Sequence, residues 1–110
     1  MNLKTLRQIL KGCGDDTRLR ILNILHNNEF TVKEICTILA INQPTVSKHL
    51  TKLRLLKLVN DRRVGNSVYY SLGQISDIPQ RKITAFIISR FAGIVAFKKD
   101  GEIARKLRKK

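Results

Sequence analysis

Apolar positions along this chain fall into blocks whose period changes from three or four to two and back again, the signature of helices flanking a short stretch of strand. Leu3, Leu6, Leu10 and Cys13 keep a three/four spacing, so residues 2–13 are predicted as a short amphipathic helix. Gly12, Gly14 and the Asp15-Asp16 pair interrupt it, and either aspartate suits the cap of a second helix from Thr17 to His26, striped by Leu19, Leu22 and Leu25. Thr31, with Glu34 three residues on, fits a capping box. Behind it Val32, Ile35, Cys36 and Leu39 define the buried face of a third helix. Asn42 caps a fourth helix, whose first turn tolerates Pro44 because that amide would lack an intrahelical partner anyway. Its inward stripe is Val46, Leu50 and Leu53, and its outward side carries Thr45, Ser47, Lys48, Lys52 and Arg54.

The period then drops to two. Residues 58–64 and 67–72 are rich in β-branched and aromatic side chains around Gly65-Asn66, which predicts a tight hairpin. Asp77-Ile78-Pro79 repeats the cap-x-Pro arrangement of Asn42-Gln43-Pro44 and opens the longest predicted helix, running to about Lys98 and roughly 30 Å long. A short basic tail, helical or frayed, follows from Asp100. The order is four helices, a hairpin and a helix, with Ala40-Ile41-Asn42-Gln43 at the junction of the third and fourth. That is the winged helix-turn-helix pattern, mainly α with a β-hairpin wing. Residues 1–98 are expected to form one DNA-binding and dimerisation domain, and residues 99–110 its tail.

At 110 residues the chain has the size of one domain. Its 43% apolar and 27% charged residues are ordinary for a folded chain. Charge is what departs from the ordinary: 22 Lys+Arg against 8 Asp+Glu leave +14. The surplus climbs from +2 over residues 1–30 to +4 over 31–80 and +8 over 81–110. Such an excess calls for a polyanionic partner, double-stranded DNA first and an anionic membrane surface second. The membrane reading is weak, because Ile103, Ala104 and Leu107 give the tail only a narrow apolar patch. The longest nearly apolar run, Ile83 to Phe97, carries Arg90 and is too short for a span. No secretory signal opens the chain, and two cysteines make no disulfide framework, so a cytoplasmic, reducing setting is expected.

DNA contacts are expected at the start of the fourth helix. Gln43 can bond adenine bidentately, Thr45 offers a hydroxyl and a methyl, and Ser47 and Lys48 reach base or phosphate. Arg62 and Arg63, before the hairpin tip, would reach the neighbouring minor groove or backbone. Between Lys48 and Arg63 six basic residues face one acid, Asp61.

These residues also carry a resemblance. Asp15-Asp16-Thr17-Arg18-Leu19-Arg20-Ile21-Leu22, Glu34-Ile35, Gln43-Pro44-Thr45-Val46-Ser47-Lys48-His49-Leu50, and Gly65 with Val68-Tyr69-Tyr70-Ser71-Leu72 resemble the ArsR/SmtB family of transcriptional repressors over roughly residues 3–97. The resemblance implies a homodimeric winged helix that binds an operator and is released by a metal or another chemical signal. It places Gln43, Thr45, Ser47 and Lys48 at DNA-reading positions. Asn66 stands where many members have an arginine after the wing glycine.

The family's sensor sites are not matched. Cys36 follows Glu34-Ile35, but Ile38 and Ile41 occupy the other two positions of the arsenic-type Cys-x-Cys-x-x-Cys pattern. From Ile78 to Lys98 there is no His, Asp, Glu or Cys for the zinc-type site, and zinc needs about four such ligands. No cofactor is therefore expected. Cys36 reads as a buried core thiol, while Cys13, between glycines and near Lys11 and Arg18, has a setting in which oxidation could be sensed, alone or together with Cys36. The last helix, with Ile87, Phe91, Ile94 and Val95, is more apolar than a small monomer can cover, and Leu3, Leu6 and Leu10 of the first helix are its natural companions in a two-fold interface.

No paired carboxylates, Ser-His-Asp or Cys-His spacing, or phosphate-binding Gly loop suggests an enzyme. The expected function is a homodimeric, sequence-specific transcriptional regulator of repressor type. Two alternatives remain open: a constitutive architectural or adaptor protein on DNA, and a redox-responsive repressor using Cys13. The sequence names neither the operator nor any small-molecule or redox effector.

Overall fold

A computed structural model describes residues 2–26, 28–72, 78–91 and 93–108, with the backbone alone for 78–81. The elements in chain order are α1 (Leu3–Gly12), α2 (Asp16–Leu25), β1 (Phe30–Thr31), α3 (Val32–Leu39), α4 (Gln43–Leu55), β2 (Val59–Val64), β3 (Ser67–Leu72), α5 (Ile78–Ser89) and α6 (Val95–Arg108). Helix starts follow the capping chemistry. Asn2, Asp15 and Asn42 each accept a hydrogen bond from the backbone N–H three residues on, at 2.8, 3.0 and 3.0 Å. The Thr31–Glu34 capping box is closed in both directions, at 3.2 and 2.9 Å. Asp77, the cap expected for α5, lies outside the described residues.

Between α3 and α4 the chain reverses at Ala40, which sits in the left-handed region at φ 56° and closes α3 through its N–H to the Cys36 carbonyl. The turn of the wing is Gly65-Asn66, with Gly65 at φ +61°. The sheet has three antiparallel strands in the order β1-β3-β2. Phe30 and Thr31 pair with Tyr70 and Tyr69, adding a short strand to the expected hairpin.

Ile21, Leu22, Phe30, Ile35, Val46, Leu50, Leu53 and Leu58 are each no more than 1% exposed. Burial of one such side chain contributes about 1.5–3 kcal/mol, so this cluster fixes α4 against α2, α3 and the base of the wing. The inward stripe expected for α4 is the one observed. On α1 the buried residues are Ile9 and Gly12, while Leu3 and Leu10 face outward and Leu6 is half-buried.

The end of the chain differs from expectation. The single helix expected through Lys98 is two helices, α5 and α6, separated around Gly93, which stands at φ +89°. A left-handed backbone there ends one helix and re-aims the next. The basic tail, expected as helical or frayed, is helical through Arg108 and continuous with residues 95–98 in α6. α6 packs on α2 and α3, and Phe97 and Ala104 join the core.

Candidate nucleic-acid interface

The rigid part of this surface is α4. Because Val46, Leu50 and Leu53 are held in the core, the opposite face must project outward. Gln43 and Lys48 are exposed, and Thr45 and Ser47 are half-buried beside them. These four residues occupy the first two turns, where helical N–H groups and the positive end of the macrodipole favour phosphate. The structure thus brings the four expected residues of α4 together on one accessible end.

The wing arginines separate. Successive residues of a strand point to opposite faces, and Arg62 and Arg63 obey that rule. Arg62 reaches back to Glu29, Nη2 to Oε1 2.7 Å, and lies over the Tyr69 ring at 5.6 Å. The Arg62 guanidinium, as hydrogen-bond donor, holds the Glu29 carboxyl below its usual range, and Glu29 in turn raises Arg62. Arg63 shares its strand face with Asp61, which pairs with Arg54 of α4 at 3.1 Å. Arg63 is exposed with no ion-pair partner among the described residues, and Asn66 is exposed at the tip.

A second basic group was not foreseen from the sequence. Lys11 at the end of α1 stands against Lys52 of α4, and the Lys52 ammonium is pushed below its usual pKa, by Lys11 first and also by burial, Arg18 and Lys48. Arg18 is itself anchored to the end of α1, through Nε to the Gly12 carbonyl and Nη2 to the Lys11 carbonyl, both 3.0 Å. Its Nη1 lies 3.4 Å from His49 Nδ1, and His49 lies 3.8 Å from Asp15 Oδ2. Crowded ammonium and guanidinium groups repel one another, and a phosphate between them would relieve the repulsion. The spacing of Lys48 and Lys52 was legible as one helix face. The approach of Lys11 was not, since it depends on α1 packing so closely that a Cβ on Gly12 would stand 2.5 Å from Leu58 Cδ1.

The remaining candidates lie elsewhere. Cys13 and Cys36 are free, half-buried thiols. Burial pushes both above the usual thiol pKa, against a smaller lowering by Arg18 at Cys13 and by a backbone hydrogen bond at Cys36. Among the described residues no three His, Cys, Asp or Glu side chains gather where they could hold a metal, and no helix is long and apolar enough to cross a membrane. Of the residues expected at a dimer interface, Leu3, Leu10, Ile94 and Val95 are 77%, 56%, 44% and 81% exposed. Leu6 and Ile87 are half-buried, and Phe91 is buried within its own protomer.

This geometry has known counterparts. The family profile described as bacterial regulatory protein, arsR family, matches residues 15–61, from the cap of α2 into the wing. The transcriptional repressor SdpR of Bacillus subtilis (strain 168) is 33% identical over 67 residues, 61% of this chain and 74% of that protein. The transcriptional activator HlyU of Vibrio cholerae is 39% identical over 64 residues, 58% of this chain and 59% of that protein. The structure of reduced HlyU superposes with a TM-score of 0.69 at 28% identity, covering 81% of this chain and 90% of HlyU. The homodimeric winged helix-turn-helix DNA-binding domain of Mb0332 from Mycobacterium bovis gives 0.68 at 27% identity, covering 80% and 79%. Proteins of this kind are DNA-binding regulators and not enzymes. The chain belongs to the ArsR family of bacterial regulatory proteins, and it is a winged helix-turn-helix transcriptional regulator.

Proposed function

We propose that the protein is a homodimeric repressor that recognises its operator through the first two turns of α4, with the wing and the Lys11–Lys52 cluster on flanking phosphates. The observation that carries this reading is the presentation of Gln43, Thr45, Ser47 and Lys48 on one accessible helix end whose other side is locked into the core. Gln43 and Ser47 supply base contacts, and Lys48, Lys52, Lys11 and Arg63 supply backbone contacts that set affinity without reading sequence. Arg62 is secondary, since its charge is already met by Glu29. DNA as the partner puts the protein at work in the cytoplasm, beside the chromosome.

The two-fold assembly is supported by the exposed apolar residues of α1, of α5 and of the start of α6, together with the homodimeric state named for the Mycobacterium bovis domain. The repressor direction follows SdpR, while HlyU is named an activator. Transcript levels of the genes beside the bound sites, measured with and without the protein, decide that direction.

The test of recognition is a titration of the wild type and Gln43→Ala against the operator, once mapped by DNA footprinting, and against a scrambled duplex. Loss of a good bidentate base contact costs about 1–3 kcal/mol on the operator and little on the scrambled duplex. Equal losses on both would remove Gln43 from base readout.

A further inference from the structure

Behind the DNA-facing side, α2, α5, α6 and the sheet border a half-open cavity of about 610 Å³, inside the size range of small-molecule pockets. Its lining is largely apolar, with Ile24, Phe30 and Leu72 beneath and Ile88, Phe91 and Phe97 around the sides. The Phe91 and Phe97 rings meet edge to face with centroids 4.7 Å apart, which makes that wall stiff. Asn23 fixes the start of α6 by donating from Nδ2 to the Phe97 carbonyl at 3.1 Å.

Two cations edge this apolar space. Lys98 and Arg105 both line it from α6, seven residues apart and therefore on one side of the helix. Both are exposed, and neither has an ion-pair partner among the described residues. Of the acids on and beside α6, Asp100 is taken by Arg20 and Glu34 by Arg108, while Glu102 is exposed and forms no ion pair with Lys98 or Arg105. No carboxylate is among the described residues that line the cavity. Between the two cations stands Gly101, a residue that weakens a helix interior. Arg105 lies back across it, with Nη1 3.4 Å from where a Cβ would be.

We propose that this cavity is a binding site for a small amphipathic anion, an apolar body ending in a carboxylate. The body would lie against Phe91 and Phe97, and the carboxylate would sit between Lys98 and Arg105. A cationic ligand would meet two like charges at the mouth, and a neutral apolar one would leave both cations unused. The site does not depend on how the protein reads DNA, because its occupancy is measured on the free protein.

The experiment is an NMR titration of the free protein with octanoate and, separately, with 1-octanol. Saturating shifts are expected at the Gly93 and Gly101 amides, with octanoate binding about tenfold more tightly than octanol, the scale of a charge-assisted contact. Combining Lys98→Gln with Arg105→Gln, both at exposed positions that leave the core intact, should erase that preference while octanol still binds. Ala85→Phe, on the exposed side of α5 that lines the cavity, should fill the space and weaken both probes. Equal affinity for the two probes in the wild type would overturn the proposal, as would undiminished binding in Ala85→Phe. Gly93 and Gly101 amides that ignore octanoate at a fixed protein concentration would overturn it as well.

Discussion

Arg20 of α2 donates to both carboxylate oxygens of Asp100 in α6, at 2.8 and 2.9 Å, across 80 positions of sequence. The same guanidinium donates to the Leu39 carbonyl at the end of α3, at 3.0 Å. One side chain of α2 thus ties the last helix to the end of α3, the first helix of the helix-turn-helix. A second tie lies further along α6, where Arg108 pairs with Glu34 at 3.1 Å and covers the Phe30 ring at 4.5 Å.

Arg20→Ala would leave the Asp100 carboxylate, only 2% exposed, without its counter-charge. Removing one partner of a fully buried pair typically costs about 3–5 kcal/mol. Arg20 keeps 28% of its side chain in solvent, so a loss of about 2 kcal/mol is the expected size. Urea unfolding measures it. The pair Arg20→Ala with Asp100→Ala should recover part of the loss, because no buried charge is then left over. An unchanged midpoint in Arg20→Ala would mean that α6 is held by apolar packing alone.

These long-range ties explain what the sequence could and could not disclose. The Thr31–Glu34 box, the Asn42 cap and the Gly65-Asn66 turn act within a few residues, and each was readable. The helicity of the last segment was readable, but its start at Val95 and its docking were not, because they depend on Arg20 and Glu34 being brought to it. The break around Gly93 was masked by the apolar run from Ile83 to Phe97. β1 is two residues long and exists only because the edge of β3 offers it partners. Within the candidate site, the helix face of α4 followed from periodicity, whereas the capture of Arg62 by Glu29 requires strand pairing to place them together.

That capture separates two adjacent arginines functionally. Arg63→Ala should weaken binding to every duplex and reduce the slope of log affinity against log salt by about one. Arg62→Ala should change it less. Glu29→Gln removes the competing carboxylate and should strengthen binding to scrambled DNA, most visibly at low salt. Fluorescence anisotropy at several salt concentrations distinguishes the three variants. An equal effect of Arg62→Ala and Arg63→Ala would show that the Glu29 pair opens on DNA at no cost.

The dimer reading can be tested without touching the core. Val95 is 81% exposed and is the first residue of α6, where a carboxylate suits the helix dipole. Val95→Asp should therefore leave the protomer folded, yet bury a charge in any interface made by α1, α5 and the start of α6. Sedimentation should show the monomer population rising at micromolar concentration, with operator affinity falling alongside. A wild type that is already monomeric there would refute the two-fold assembly.

The thiols permit a prediction with a definite sign. Burial raises the pKa of both Cys13 and Cys36 above the ordinary value of 9.0, so the folded protein holds these protons more tightly than the unfolded chain does. Their contribution to stability is complete below the unfolded pKa and is lost as pH rises through the folded one. Urea midpoints should therefore fall on the alkaline side, and less steeply in Cys13→Ser. The same shift lowers the thiolate fraction at neutral pH, and the thiolate is the species that reacts. Labelling by a disulfide reagent at pH 7 should be slower than for a free model thiol and should accelerate above pH 9. Operator binding should survive brief peroxide treatment at neutral pH. Rapid labelling of Cys13 at pH 7, together with DNA release by peroxide that disappears in Cys13→Ser, would overturn this and make the protein a redox-responsive repressor.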